Sequence, residues 1–403
     1  MAANKIHDFK IEKKTLEHNA KLKQLLTAMK AHDIDGAKYL PDAEYETCSF
    51  RLDNSYSGFA NAIRRVFMSE IPTRCLHVTQ YISLEDSKMP SAIYTDDEFI
   101  RGTTDVVIKN INSIPITQDV DFSKYSFYLY VVNQTHGVIN VRASDIRSRL
   151  PTSKNKIVTG GKPNNIKKIV EADSVPSHFT VPQEIIYEEK NAIDIRALIP
   201  NPNITIARLR PGKTIFISDF LFETGISLFD AAKFTLLDSI IYRVNAKHYA
   251  DGGPRSIAQS VNDFYLEFTT AGNISAVSVL NKTVEVLQNY MTSIKKTIEP
   301  LNISGQLFYA NDEVSVSCVS HLYTYKFQKH YFTSMNLLAQ QCMRLDPSCV
   351  FCSANVESYD TRNASRDDIR VGILKLKHLE PNKLIIAAAD AVIAELTAFK
   401  KTF

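Results

Sequence analysis

The sequence has no long apolar segment and no apolar core near its N-terminus. Its longest apolar runs, such as Leu384 to Ala389, are far shorter than the roughly 20 residues that a membrane-spanning helix needs. Residues Met1 to Lys10 lack the apolar stretch of a secretion signal. The sequence therefore predicts a protein of the cytosol or the nucleus, with no membrane as a partner.

Cysteine is scarce, since the chain has six cysteines and they are scattered along its length. This usage indicates free thiols in a reducing compartment. Cys349 and Cys352 form a Cys-x-x-Cys, with Cys342 and His330 upstream. A structural zinc site needs four converging ligands, and residues three apart on a predicted strand point to opposite faces. We therefore favour buried thiols over a zinc site.

The chain also lacks a large charge of either sign, because 47 basic residues stand against 44 acidic ones for a net charge of +3. A protein whose main task is to hold nucleic acid usually has a strong basic footprint. The stretch 154–168 is a local exception that contains Lys154, Lys156, Lys162, Lys167 and Lys168. These lysines predict either a solvated loop or a loop that contacts nucleic acid or a partner.

Motifs for catalysis are absent as well, including Gly-x-Ser-x-Gly and His-Glu-x-x-His. The segment Thr159 to Lys162 lacks the flanking glycine, the Ser/Thr after the lysine and the helix of a phosphate-binding loop. The acidic run Asp96 to Glu98 has no EF-hand pattern and indicates a solvated turn rather than a cation site. We therefore predict no enzyme activity for the chain itself, no cofactor and no metal.

What the sequence does contain is an internal repeat. Asn54 to Val78 and Lys329 to Ser353 align without a gap at a constant offset of 275. Four positions are identical: Tyr56 and Tyr331, Asn61 and Asn336, Met68 and Met343, Pro72 and Pro347. Both copies predict a strand, an amphipathic helix, a proline stop and a second strand. The duplication predicts two similar units that pack on each other.

The order of these patterns predicts four regions and an α/β fold in the broad sense, that is α+β. Residues 1–43 are predicted to be a helical extension with a helix from Ile11 to Ala31. It is either an arm that docks on a partner or a solvated arm. The remaining regions are a first unit at 44–80 and 211–300, a β-rich insertion at 81–210, and a smaller second unit at 313–403. The main helices are predicted at 58–70, 274–294, 333–345 and 381–400.

One segment resembles a known protein family. The stretch Asn54 to Thr73 contains Ala-Asn-Ala-Ile-Arg-Arg, which ends at Arg65, and closes with Glu-Ile-Pro-Thr. This motif is similar to that of the α-like subunits of DNA-dependent RNA polymerases, which include the bacterial α subunit and the third-largest subunit of polymerase II. The blocks 95–100, 114–116, 208–213 and 225–234 resemble further pieces of the family pattern in the same order.

The second copy, Thr333 to Pro347, resembles the small partner of that subunit, the eleventh subunit of polymerase II. The resemblance extends over roughly 45–400, with departures. Met335 replaces a glycine of the small partner, and 101–103 lacks the family's His-Arg-Leu. No cysteine lies between Cys75 and Cys318, so the zinc loop of some relatives is missing.

The resemblance implies two α-like dimerisation modules in tandem, although the cellular subunits are separate chains. It implies a non-catalytic assembly platform for transcription that docks the two large catalytic subunits and small polymerase subunits. DNA and RNA are then met only through the complex. Large DNA viruses are expected to fuse the two subunits, so host cytoplasm and virion are expected for a viral chain and the nucleus for a cellular one. The alternative is a nucleic-acid-binding factor that acts through the stretch 154–168.

The resemblance also implies the interaction residues. Arg64 and Arg65 are expected to contact the large subunits, with Asn61 and Lys233 beside them, because guanidinium groups pair well with carboxylates and carbonyls. Alternatively, one of the two arginines caps a loop of its own module. The two modules are expected to meet through apolar residues of the predicted helices, namely Phe59, Ile63, Val66, Phe67, Leu280, Leu287, Leu337, Leu338, Val392 and Leu396.

Overall fold

The computed structural model has a mixed α+β fold with several antiparallel sheets, in agreement with the predicted class. The structure describes residues 5–14, 20–32, 45–78, 80–81, 92–118, 126–149, 198–217, 220–227, 233–245, 262–301, 308–328, 330, 332–357 and 371–403. The α-helices of these residues are α1 (Ala20–Ala31), α2 (Ser57–Ser69), α3 (Glu98–Gly102), α4 (Thr104–Asn112), α5 (Ala276–Ile298), α6 (Phe332–Leu345) and α7 (Pro381–Lys400).

The described strands form one four-stranded sheet, two five-stranded sheets and two pairs. The first nine strands are β1 (Lys5–Lys14), β2 (Tyr45–Ser55), β3 (Thr73–His77), β4 (Gln80–Tyr81), β5 (Ala92–Thr95), β6 (Ser126–Val132), β7 (Ile139–Arg142), β8 (Ile146–Arg149) and β9 (Thr205–Leu209). The others are β10 (Thr214–Ile217), β11 (Leu221–Gly225), β12 (Leu237–Asn245), β13 (Asn262–Thr270), β14 (Phe308–Ala310), β15 (Val314–Val319), β16 (Leu322–Gln328), β17 (Phe351–Glu357) and β18 (Val371–Lys377).

The first sheet has the strand order β1-β2-β13-β12, and all neighbouring strands are antiparallel. Alternation gives it two different faces: Cys48, Phe50 and Leu52 of β2 are fully buried, whereas the residues between them are partly covered. Helix α2 follows β2, and α5 follows β13. Both helices lay their apolar faces on the buried side of the sheet.

The second sheet has the order β14-β15-β16-β18-β17 and is also antiparallel throughout. Helix α6 follows β16, and α7 follows β18. Pro381 lies in the first turn of α7, where its missing N–H removes no helical hydrogen bond. Apart from the additional strand β14, the order of strands and helices repeats that of the first sheet.

The two sheets also have the same register between their central strands. Under the offset of 275, Phe50 corresponds to Tyr325; Phe50 faces Leu266, and Tyr325 faces Leu374. The neighbouring pairs follow the same rule, because β13 maps onto β18 at a constant offset of 108 (264 to 372, 266 to 374, 268 to 376). Since a slip by one residue would exchange the two faces, equal register means that equivalent positions face the core in both sheets.

The four long helices join both sheets to one hydrophobic core, because α2 packs against α6 and α5 packs against α7. Phe399 near the end of α7 is fully buried, and its ring lies 6.0 Å from the rings of Phe50 and Phe59 in the first half. Both contacts have the edge-to-face geometry that aromatic pairs favour. Side chains that are distant in sequence therefore complete the same core.

A second hydrophobic core is formed mainly by residues that lie between β3 and β11 in the sequence. Strands β3 and β11 pair with each other and so bring the two ends of this segment together. The core contains the third sheet, β4-β5-β10-β6-β8, and helix α4. The predicted insertion is 81–210, whereas the residues of this core extend from Leu76 to Phe220. Strand β10 pairs with both β5 and β6, so it belongs to the third sheet, although the prediction assigned it to the first unit.

The N-terminal segment also differs from its prediction. A helix is predicted from Ile11 to Ala31; in the described residues Ala20–Ala31 is helical, whereas Lys5–Lys14 forms strand β1. Phe9 and Ile11 alternate with the exposed Lys10 and Glu12, and the two apolar side chains pack on the first core. Strand pairing with β2 and this burial outweigh the helical pattern of the lysine-rich sequence.

Candidate functional site

The two helices of the sequence repeat, α2 and α6, lie against each other, and their contacts are reciprocal. At the start of α2, Gln340 Oε1 accepts a hydrogen bond from the Gly58 backbone N–H at 2.7 Å. Further along α2, Arg65 Nε donates to the Thr333 hydroxyl at 2.8 Å. Under the offset of 275, Gly58 corresponds to Thr333 and Arg65 to Gln340, so each contact is the counterpart of the other. Such exchange of equivalent residues is typical of a two-fold relation.

One end of this contact depends on a glycine. A Cβ at Gly58 would lie 2.7 Å from Gln340 Oε1 and 2.8 Å from Gln340 Cδ. The Ser57 hydroxyl also donates to Gln340 Oε1, at 3.2 Å. The glycine therefore permits a side chain of α6 to reach the backbone of α2, where the first turn of a helix has unpaired N–H groups.

The other end contains a buried carboxylate. The Thr333 hydroxyl donates to Glu70 Oε1 and accepts from Arg65, so it bridges the two charged residues. Glu70 is 1% exposed. Burial raises the pKa of Glu70, and the hydrogen bond from Thr333, the Arg65 charge and a hydrogen bond from Tyr290 offset only part of this rise. Because Arg65 also lies 5.7 Å from the Phe332 ring, its guanidinium is engaged within the chain.

Arg64 lies on the neighbouring side of α2. Its Nε and Nη2 donate to Asn61 Oδ1 at 3.1 and 2.9 Å, and its guanidinium lies 5.7 Å from the Tyr242 ring. Both Arg64 and Asn61 are partly exposed. The paired hydrogen bonds hold the guanidinium in one orientation along the helix, which reduces the entropy lost when another group binds it.

Lys233, the fourth predicted contact residue, lies at the strand pair β3–β11. Its ammonium pairs with Glu223 and lies 3.2 Å from His77 Nδ1, and its side chain is 10% exposed. Burial and the Lys233 charge lower the pKa of His77 against the opposing effect of Glu223. The cluster was not predictable from local patterns, because His77 is far along the chain from Glu223 and Lys233.

The ten apolar residues predicted to join the two halves are all buried in the first hydrophobic core. Six of them lie on the packed pair α2 and α6, and four on the packed pair α5 and α7. The predicted lysine loop, with Lys154, Lys156, Lys162, Lys167 and Lys168, lies outside the described residues.

The acidic run Asp96 to Glu98 was predicted to be a solvated turn; Glu98 is exposed, but for Asp97 the prediction is wrong. Asp97 is fully buried; it accepts hydrogen bonds from the Arg210 backbone at 2.9 Å and from Arg210 Nε at 2.8 Å, and it caps α3 through Phe99. Asp96 accepts from the Thr214 backbone at 2.6 Å. Burial alone acts to raise the pKa of Asp97, but the hydrogen bonds from Arg210 and Phe99 and the Arg210 charge hold it below its ordinary value.

The thiols of Cys349 and Cys352 lie close together, so the prediction that they point apart is also wrong. Strand β17 begins at Phe351, so Cys349 lies in the turn before it and the alternation of a strand does not apply. Cys349 and Cys352 share a hydrogen bond, and Cys352 also contacts Cys342. All three are buried free thiols, as the sequence predicts. Within the described residues, no group of three or more His, Cys, Asp or Glu side chains has an arrangement suited to a metal ion.

A scan against protein-family models and a search of curated proteins both find no match to this chain. Of the helices in the described ranges, none is both long and apolar enough to cross a membrane.

Proposed function

We propose that the chain is a non-catalytic assembly subunit of a multisubunit DNA-dependent RNA polymerase. In this proposal two α-like modules, joined in tandem, pair within one chain and dock the two large catalytic subunits. The first module consists of β1, β2, α2, β12, β13 and α5, and the second of β14 to β18, α6 and α7. The second hydrophobic core, Leu76 to Phe220, is then the inserted β-rich domain.

The observation that carries the proposal is the reciprocal contact between α2 and α6. The offset of 275 converts the pair Gly58 and Gln340 into the pair Thr333 and Arg65. The two residues of α2 and the two residues of α6 lie in the two segments that resemble polymerase α-like motifs. The equal register of the two sheets supports the same interpretation. Covalent linkage makes the pairing of two modules intramolecular, so it does not depend on subunit concentration.

The accessible group proposed for docking is Arg64, oriented by Asn61. Arg64 and Arg65 are both partly exposed, but Arg64 pairs with a residue of its own helix, whereas Arg65 is engaged at the α2–α6 contact and Lys233 in its cluster with Glu223. We therefore assign contact with the large subunits to Arg64 and Asn61 first. Arg65 and Lys233 then support the surface from within the chain.

A charge reversal tests this assignment. Tagged Arg64→Glu, expressed in the native source, should recover the two large subunits at least tenfold less than the wild-type chain, because a carboxylate replaces the docking cation. The matched control is Arg147→Glu, at an exposed arginine of strand β8 in the third sheet. This variant should recover the two large subunits as well as the wild-type chain does. Thermal unfolding of both variants checks that they are folded. Undiminished recovery by Arg64→Glu would contradict the assignment.

A further inference from the structure

The second sheet has an outer face, directed away from the helices, with two adjacent rows of cross-strand neighbours. The first row is Phe308, Ser317, Thr324, Lys375 and Ser353. The second row is Val319, Leu322, Lys377 and Phe351. Lys375 and Lys377 are both exposed. Because they occupy alternate positions of β18, their side chains project from the same side of the sheet.

The equivalent rows of the first sheet have a different charge. They are Lys10, Ser49, Glu267 and Ile241, followed by Glu12, Thr47, Thr269 and Ser239. Lys375 therefore stands where the first sheet has Glu267, and Lys377 stands where it has Thr269. Beside these rows, Arg51 pairs with Asp53 at 3.1 Å and with Asp263 at 3.6 Å. The outer face of the first sheet thus combines both signs of charge.

In contrast, the two rows of the second sheet contain two lysines and no carboxylate. Apolar side chains surround the Lys377 end: Val319 is 71% exposed, Phe351 43%, Val350 79% and Leu379 91%. On the same side of β18, Ile373 is buried, so Lys375 and Lys377 are the exposed residues of that side of the strand. Exposed aliphatic side chains grouped around lysines are typical of a surface that another protein covers.

We propose that these two rows bind an acidic, extended segment of a partner protein. Its carboxylates would pair with Lys375 and Lys377, and its apolar side chains would cover Val319 and Phe351. The separation of the two lysines by one residue of a strand fits carboxylates at alternate positions of an extended segment. The inference does not depend on the polymerase proposal.

Binding of a defined peptide tests the proposal. The probe is a fluorescein-labelled peptide of about twelve residues that alternates glutamate and valine, titrated with the full chain in fluorescence anisotropy. We expect Lys375→Glu with Lys377→Glu to weaken binding at least tenfold and Lys375→Thr with Lys377→Thr to weaken it severalfold. The threonine variant preserves strand propensity, so it gives a result even if the glutamate variant does not fold. Wild-type binding should weaken as salt is added.

The matched control for charge is Lys109→Glu with Lys401→Glu, at exposed lysines on other surfaces, which should change affinity less than twofold. A peptide in which glutamine replaces glutamate should bind at least tenfold more weakly. The proposal is overturned if the Lys375 and Lys377 variants bind the acidic peptide like wild type. Tighter binding of single-stranded DNA through the same two lysines would also overturn it. Neither result affects recovery of the large subunits in the Arg64→Glu experiment.

Discussion

The two halves of this chain have the same inner architecture and different outer surfaces. Toward the core, Phe50 and Tyr325 occupy equivalent positions and face Leu266 and Leu374 in the same register. On the outer face, Glu267 of the first sheet is replaced by Lys375 in the second. Core positions are constrained by packing, whereas a solvated strand position tolerates a change of charge at low cost. The two sheets therefore have the same register and the same buried positions, whereas the residues on their outer faces differ.

The α2–α6 contact shows the same contrast on a smaller scale. Its two ends use equivalent positions, but Gly58 and Gln340 form a neutral, close contact, whereas Arg65 and Thr333 adjoin the buried Glu70. The positions of the contacting residues are therefore equivalent at the two ends, whereas charged groups are present at one end. Removing one group at each end separates these contributions.

The largest expected effect is at the charged end. Thr333→Val removes the hydroxyl that bridges Arg65 and Glu70 while preserving shape, so Glu70 loses a hydrogen bond in a buried site. We expect the free energy of unfolding to fall by about 3 kcal/mol, measured by urea denaturation. Thr333→Ser retains the hydroxyl and should lose less than about 1 kcal/mol. Equal losses for valine and serine would show that the hydroxyl has no special role.

A smaller effect is expected at the neutral end. Gly58→Val places side-chain atoms where Gln340 now lies, and we expect a loss of about 2 kcal/mol in the free energy of unfolding. In a Gln340→Ala background the same change should cost at least about 1 kcal/mol less, because the space is then free. Gly137→Val, at a glycine with no atom within 4 Å of the added Cβ, is the matched control. Additive losses in the double variant would contradict the close contact.

The smallest effect is a dependence on pH. Because burial raises the pKa of Glu70, the folded chain holds this proton more tightly than the unfolded chain. Stability from this group is therefore present at low pH and falls as pH rises from the ordinary value of 4.5 through the raised value. Glu70→Gln should flatten the urea stability profile over that range. An identical slope in the variant would indicate that Glu70 does not titrate differently on folding.

Much of the fold was predictable because its signals are local. The repeated strand, helix, proline and strand predicted β2, α2 and β3 and also β16, α6 and β17. The helix predicted at 381–400 is confirmed with the same bounds, because Pro381 marks its start and apolar residues recur at helical spacing. For the candidate site, the apolar faces were also predictable, since their periodicity is a property of single helices.

The remaining features depend on contacts between distant segments. Asp97 appeared to be a solvated acid because its partner, Arg210, follows more than a hundred residues later. The same reason explains the missed cluster of His77, Glu223 and Lys233. Thr333 and Gln340, the α6 residues of the α2–α6 contact, could have been identified from the repeat, since the offset of 275 relates them to Gly58 and Arg65. That relation becomes informative once the helices are known to pack.

The proposed assembly function is tested most directly by native mass spectrometry of the complex recovered with the tagged chain. If the two modules pair within one chain as proposed, each complex should contain one copy of this chain together with one copy of each large polymerase subunit. Two copies of the chain in each complex would contradict pairing within the chain and indicate modules exchanged between copies. Recovery of the chain alone, or of nucleic acid alone, would contradict the assembly function itself.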